Sequence, residues 1–142
     1  MDAVKITATP FLLFDGNCQE AMTFYHHCLG GELTLTKLGD TPMKEAFPEE
    51  KHSLIINARI EGGLIDITAT DWMASPEFER QEGNNFAIYV SSTKAEDIIR
   101  LFNKLKDGAK ADRFQELHEM PFGIYGQFYD KYGYQWIFRS DK

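Results

Sequence analysis

A chain of 142 residues, 43% of them hydrophobic, can bury a core and has the usual size of one domain. Fifteen Lys and Arg against 22 Asp and Glu give a net charge of -7, without any basic run. This balance argues against nucleic acid and anionic membranes as partners. The apolar run within residues 1–14 is too short for a membrane span or secretory signal, so we expect a cytoplasmic protein.

The first half of the chain predicts a strand, a helix and three further strands. A strand is expected over residues 6–14, and Asp15-Gly16-Asn17 then supplies a turn and a helix N-cap. Apolar residues at helical spacing follow over 21–29, and Gly30-Gly31 ends the helix. A second strand is expected over 32–38, before a loop over 39–51 that would cover a cavity.

Two alternating apolar and polar runs follow the loop, over residues 54–60 and 65–70. Gly62-Gly63 lies between them and predicts a two-residue hairpin turn. Such a turn places Arg59 opposite Asp66 and Asn57 opposite Thr68, with all four side chains on one face.

The second half repeats the same order of elements. A strand over 85–90 precedes a helix whose apolar face is formed by Ile98, Leu101, Phe102 and Leu105. Three strands follow, over about 109–116, 124–129 and 134–139. The pattern predicts an α+β protein of two βαβββ modules. One such module leaves a sheet face uncovered, which favours a duplicated single domain over an accidental ferredoxin-like order.

The domain boundaries follow from this repeat. We expect one domain over residues 1–142, with the first module over about 1–72, a linker over about 73–83 and the second module over about 84–142.

Three stretches carry a family resemblance: FLLFDGNCQEAMTFYHHCLGGEL, IDITATD and GQFYDKYGYQWIF. They resemble the PhnB-like branch of the vicinal-oxygen-chelate superfamily, which includes glyoxalase, bleomycin resistance proteins and dioxygenases. The resemblance implies two βαβββ modules forming a curved mixed sheet around a cavity, the glyoxalase/bleomycin resistance fold, commonly in a homodimer.

Enzymes of that superfamily bind a divalent metal through His, Glu or Gln at four strand positions. The resemblance places the first position within Ala8, Thr9 or Pro10 and the others on Asp66, Asn85 and Ile137. One carboxylate and one amide are too few for a catalytic metal, so we expect no cofactor. A metal would require a non-standard set drawn from Asp66, His52 and Glu116.

The candidate ligand-binding residues are polar groups of the hairpin face and aromatic residues of two loops. Arg59 is a candidate anion holder, and Asp66 is its orienting partner or a general base. A structural salt bridge between them is the alternative. Trp72 and Phe122 lie in loops, where they would line a pocket rim or a dimer contact. The complete candidate set is Asn57, Arg59, Asp66, Thr68, Trp72, Asn85 and Phe122.

Two functions remain open from the sequence. The first is a metal-independent protein that binds a small molecule in its cavity. The second is a lyase-, isomerase- or dioxygenase-like enzyme, using a non-standard metal site or Arg59 and Asp66 as acid-base groups. An interaction module using Trp72 and Phe122 is a third reading. The common phosphate-loop, dinucleotide, hydrolase and zinc-protease motifs do not occur.

Overall fold

The computed structural model describes residues 6–71 and 81–141. The chain divides into two compact units, Met1–Arg80 and Gln81–Lys142, and the division falls within the predicted linker. Most of that linker, and the candidate residue Trp72, lie outside the described residues. The grouping of both modules into one domain therefore stays a prediction.

Each unit has the predicted order of elements. The first contains β1 (Phe11–Leu13), α1 (Cys18–Leu29), β2 (Glu32–Lys37), β3 (Ile55–Glu61) and β4 (Ile67–Thr70). The second contains β5 (Ile88–Ser92), α2 (Ala95–Leu105), β6 (Phe114–Met120), β7 (Gly123–Tyr129) and β8 (Gln135–Asp141). The described part of each unit is thus a βαβββ module.

The strands form one mixed sheet in each unit. The first sheet has the order β1-β4-β3-β2, and the second has the equivalent order β5-β8-β7-β6. In each sheet the first and last strands of the module pair in parallel, while the other pairs are antiparallel. The predicted α+β class is confirmed.

Each helix packs on one face of its own sheet. Burial therefore alternates along strand β8. Trp136 and Phe138 are fully buried, whereas Ile137 and Arg139 are partly exposed. Phe102 of α2 packs edge-on against Phe138, with ring centroids 5.2 Å apart. The face opposite the helix is therefore the one on which polar side chains stand. We call it the open face of each sheet.

Two buried aspartates hold the ends of these elements together. Asp71 Oδ1 accepts hydrogen bonds from the backbone N–H groups of Gly16 and Cys18, each 2.9 Å long. Its Oδ2 accepts from the N–H of Ile55 at 2.9 Å, so one carboxylate joins the start of α1 to the start of β3. This contact replaces the predicted cap, because the side chain of Asn17 makes no capping hydrogen bond.

Asp130 has a similar role in the turn between β7 and β8. Its Oδ1 accepts from the backbone N–H groups of Tyr132 (2.9 Å) and Tyr134 (3.0 Å). Its Oδ2 accepts from the indole Nε1 of Trp136 at 2.8 Å. The Asp71 and Asp130 carboxylates therefore both accept hydrogen bonds from groups of the fold itself. We assign them a structural role.

The turn between β3 and β4 corrects the predicted register. Arg59 pairs with Thr68, and Ile60 pairs with Ile67, so the connection is longer than a two-residue turn. Asp66 precedes β4 and does not lie opposite Arg59. The predicted pairing of Arg59 with Asp66 and of Asn57 with Thr68 is therefore wrong by two residues.

Gly30-Gly31 packs closely against Gly62-Gly63, which explains why the connection is longer than predicted. A Cβ on Gly63 would lie 2.6 Å from the backbone nitrogen of Gly31, and a Cβ on Gly31 would lie 2.9 Å from the carbonyl oxygen of Glu61. The glycines after β3 thus allow the end of α1 to approach the connection. Asp66 Oδ1 accepts a 3.3 Å hydrogen bond from the N–H of Gly62 within the same connection.

The long loop between β2 and β3 contains short 3-10 helices and is organised by His52. Its Nε2 donates to the carbonyl oxygens of Lys44 (3.0 Å) and Phe47 (3.1 Å). A Cβ on Gly39 would lie 2.8 Å from the Cβ of His52, so the loop packs tightly on this histidine. None of the described helices is long and apolar enough to cross a membrane.

Candidate functional site

Arg59 stands at the centre of the open face of the first sheet. Strand pairing places Phe11, Thr68, Arg59 and Thr34 in one row across all four strands. Directly paired residues project to the same side of a sheet, and the neighbours Ala58 and Ile60 are fully buried on the other side. The row therefore faces away from the core under α1. We call these four residues the Arg59 row.

The guanidinium of Arg59 forms an ion pair with Glu61 of the same strand. Its Nε lies 3.3 Å from Oε2 of Glu61, two residues along the same strand, and the side chain is 41% exposed. Nε is buried and has no hydrogen-bond partner, so the contact with Glu61 is an ion pair without hydrogen-bond geometry. Asp66 is exposed and bonds to Gly62 instead. The proposed acid-base pair of Arg59 and Asp66 therefore does not exist as predicted.

Neutral polar groups also lie beside Arg59. Thr68 Oγ donates to the carbonyl oxygen of Pro10 at 2.9 Å and lies 3.3 Å from Thr9 Oγ, so it keeps an accepting lone pair. Asn57 is exposed, pairs with Thr36, and lies on the same face as Arg59 because the two are separated by one residue of β3. The structure thus brings Asn57, Arg59 and Thr68 together.

The remaining candidate residues lie elsewhere. Asp66 is on the connection at the end of the Arg59 face, whereas Asn85 and Phe122 belong to the second unit. Asn85 is exposed and precedes β5, contrary to the predicted strand start. Phe122 lies in the turn between β6 and β7, where its ring contacts Arg139.

The residues present do not fit the metal site of the superfamily's enzymes. Asp66 and Asn85 lie outside strands, and Ile137 offers no donor atom. His52 and Asp66 flank opposite ends of the seven-residue strand β3, which spans about 20 Å, so one ion cannot reach both. Within residues 6–71 and 81–141, no three His, Cys, Asp or Glu side chains are grouped to hold a metal. Glu116 is exposed in β6, where Oε1 lies 4.0 Å from Lys106 Nζ.

The open face of the second sheet also carries polar side chains. Pairing places Ser91, Arg139, Tyr125 and His118 in one row and Tyr89, Ile137, Gln127 and Gln115 in the next. Amide hydrogen bonds of 3.2 Å connect Gln135 to Gln127 and Gln127 to Gln115. A depression of about 470 Å³ is lined by these glutamines, and another of about 440 Å³ by Arg139. Both are open depressions, and their volumes lie within the range of small-ligand sites.

Arg139 was not among the predicted site residues. Its position follows from Trp136, which was expected in the core and is fully buried. Alternation along β8 then places Ile137 and Arg139 on the opposite face. The signal was therefore present in the sequence, two residues beyond the family's last metal position.

Solved structures identify the class of fold. Protein PA1353 from Pseudomonas aeruginosa is 28% identical, with a TM-score of 0.80 over 96% of this chain and 98% of its own. A PhnB protein from Bacillus cereus, described as a putative 3-demethylubiquinone-9 3-methyltransferase, is 22% identical, with a TM-score of 0.70 over 95% and 99%. A glyoxylase/bleomycin resistance protein/dioxygenase domain from Frankia sp. EAN1pec is 20% identical, with a TM-score of 0.53 over 99% and 100%. The fold is the glyoxalase/bleomycin resistance fold.

Sequence comparison then gives the family. Residues 6–138 match the family model described as 3-demethylubiquinone-9 3-methyltransferase, and the chain belongs to this family. Protein YjdN of Escherichia coli (strain K12) is 25% identical in an alignment of 138 positions that covers 91% of each chain. The predicted membership of the PhnB-like branch is confirmed.

Proposed function

We propose that the protein binds a small molecule on the open face of the first sheet, without the divalent metal that the superfamily's enzymes use. The observation that supports this proposal is the environment of Arg59. Its guanidinium is central on a polar face and makes no hydrogen bond through Nε, and its ion-pair partner Glu61 is 49% exposed, so a ligand anion can displace that carboxylate.

The chemistry of the face favours an anionic or strongly polar ligand. A planar guanidinium presents paired N–H donors that match a carboxylate or phosphate group. Thr34, Thr68 and Asn57 supply neutral hydroxyl and amide groups beside it. Phe11 is 54% exposed at the end of the same row and offers an apolar surface for the rest of the ligand. Ligand sites usually combine a few polar groups with apolar surface.

The enzymatic alternative loses its main support. Asp66 was its general base, but the observed register moves this carboxylate away from Arg59 and its oxygen accepts from Gly62. His52 uses Nε2 to bond two loop carbonyl oxygens. Neither residue is arranged beside Arg59 to transfer a proton, and a base must lie within hydrogen-bond reach of its target.

Titration of chelator-treated protein with small organic anions, followed by ¹H–¹⁵N spectra, tests the proposal. We expect saturable shifts at Thr34, Asn57 and Thr68, and at least about tenfold weaker binding for Arg59→Met. Arg100→Met is the matched control, because Arg100 pairs with Asp97 on the exposed surface of α2. Binding that requires added divalent metal, or that is unchanged by Arg59→Met, would overturn the proposal.

A cytoplasmic homodimer is the accompanying proposal. It rests on the family resemblance, since members of the vicinal-oxygen-chelate superfamily commonly form homodimers. Sedimentation velocity should give twice the chain mass of 16.3 kDa. A single monomeric species at all concentrations would contradict this part of the proposal.

A further inference from the structure

Arg139 is the second arginine on an open sheet face. In the second sheet it pairs directly with Ser91 of β5 and with Tyr125 of β7. The three side chains therefore project from neighbouring strands to the same side. None of the hydrogen bonds within the described residues involves the Arg139 guanidinium, the Ser91 hydroxyl or the Tyr125 hydroxyl. A cation and two hydroxyl groups thus share one face of the sheet.

The guanidinium plane is oriented by Phe122. The Arg139 Cζ lies 4.0 Å from the Phe122 ring centroid, within the range of a cation–π contact. Phe122 takes this position because the turn between β6 and β7 contains only Pro121 and Phe122 between the paired residues Met120 and Gly123. Gly123 is required there, since its φ is 148° and a Cβ would overlap the carbonyl oxygen of Ser140. The stacked arginine is preorganised for a ligand.

Asp141 is the only acidic group in contact with Arg139 among the described residues. Its Oδ1 lies 4.0 Å from Arg139 Nη2, which is too long for a hydrogen bond, and its side chain is 61% exposed. An exposed pair of this kind contributes little to stability. A carboxylate that forms two direct hydrogen bonds to the guanidinium can therefore displace it.

An apolar surface lies beside the cation. Tyr89 is 56% exposed, lies two residues before Ser91 on β5, and pairs with Ile137 of β8. Tyr89, Ser91, Arg139 and Asp141 line the depression of about 440 Å³. The depression therefore places the Arg139 cation beside an exposed aromatic ring, and this volume accommodates a molecule of one ring.

We propose that the Arg139 depression binds a small aromatic carboxylic acid, with the carboxylate on Arg139 and Ser91 and the ring against Tyr89. The inference rests on the proposed function in one respect, which is that binding needs no metal. It adds a class of ligand and a second binding site, located in the second unit. The planar fork of arginine selects a carboxylate, whereas Tyr89 selects a flat apolar body.

Benzoate is the probe, added to chelator-treated full-length protein and followed by ¹H–¹⁵N spectra. We expect saturable shifts at Tyr89, Ser91 and Arg139 with a Kd of about 1 mM. Benzamide has the same shape without the charge and should bind at least about tenfold more weakly, as should benzoate to Arg139→Met. Arg139→Lys keeps the charge but not the fork, so it should restore only part of the affinity. Asp141→Asn should strengthen binding by about twofold to threefold, because the competing carboxylate is removed.

Two arginine controls separate this inference from the proposed function. Arg100→Met should leave all benzoate-induced shifts unchanged, Arg59→Met should remove only those at Thr34, Asn57 and Thr68, and the spectrum of each free variant checks that it is folded. Equal binding of benzamide, unchanged affinity in folded Arg139→Met, or no saturation by about 20 mM benzoate would overturn the inference. If benzoate affinity falls in Arg59→Met and persists in Arg139→Met, the proposed function is supported and the inference is wrong.

Discussion

The carboxylate of Asp71 accepts a 2.9 Å hydrogen bond from the backbone N–H of Cys18, and both residues are buried. The same carboxylate accepts from Ile55 through its other oxygen. One acidic side chain therefore joins the first turn of α1 to β3, the strand that carries Arg59. The position of the Arg59 row depends on this connection.

Replacement of Asp71 should destabilise the fold. Asp71→Asn substitutes an N–H₂ group for one accepting oxygen, which leaves a buried backbone donor facing another donor. We expect urea unfolding to show a loss of about 2 kcal/mol. Asp66→Asn is the matched control, because Asp66 is exposed, and it should change stability by less than about 1 kcal/mol. Equal losses in both variants would contradict the structural role of Asp71.

Cys18 should be unreactive in the folded protein. Burial, with the negative charge of Asp71 as a smaller cause, raises the pKa of the Cys18 thiol from 9.0 to about 12. The nucleophilic thiolate is therefore scarce, and the sulfur is shielded from solvent. Thiol reagents at pH 8 should label Cys18 only after urea is added. Rapid labelling of the native protein would contradict its buried, protonated state.

The same shift predicts a loss of stability in alkali. The folded pKa lies above the unfolded value, so above pH 9.0 the unfolded chain releases the Cys18 proton while the folded chain keeps it. Stability is thus unaffected below this pH and declines as the pH rises from 9.0 towards 12. Urea unfolding of Cys18→Ala should show a shallower decline than the wild type. Parallel pH profiles would exclude the contribution of Cys18.

Asp130 stabilises the turn between β7 and β8, the strand that carries Arg139. It accepts hydrogen bonds from two turn amides and from Trp136, which is fully buried. Asp130→Asn should reduce the free energy of unfolding by about 2–4 kcal/mol, because at least one buried donor loses its partner. Asp112→Asn should have almost no effect, since that side chain is 79% exposed. Equal stability of the two variants would contradict this account.

The two glycines after β3 should respond differently to substitution. Gly62 has a φ of 81° with no atom near a potential Cβ, so Gly62→Ala should cost about 1–2 kcal/mol of backbone strain. A Cβ on Gly63 would lie 2.6 Å from the backbone of Gly31, where neither backbone can easily move. Gly63→Ala should therefore be the more destabilising in thermal unfolding. The opposite order would contradict the observed approach of Gly31 and Gly63.

The sequence predicted the order of elements because periodic burial determines it. Ile98, Leu101, Phe102 and Leu105 repeat at helical spacing and are the buried residues of α2. The alternation in β8 likewise placed Trp136 in the core. These patterns are local, and each is visible in a window of about one element.

The register and the site depended on contacts between distant residues. Gly62-Gly63 has the composition of a hairpin turn, but here it allows the approach of Gly31. The two-residue error moved Asp66 opposite Arg59 and suggested an acid-base pair. An error of two residues does not change the face of the sheet on which a side chain lies, so the prediction correctly placed Asn57, Arg59 and Thr68 on one face. The family pattern marks Ile137 and not Arg139, so the resemblance does not predict Arg139 as a site residue.

The central claim is that ligand binding at Arg59 needs no metal. The most direct test measures metal content by mass spectrometry on the same sample, purified without chelator or nickel, that is used for the ligand titration. We predict saturable binding with far less than one metal ion per chain and no change in affinity after chelation. Near-stoichiometric metal, with binding that disappears on chelation and returns with the metal, would contradict the claim.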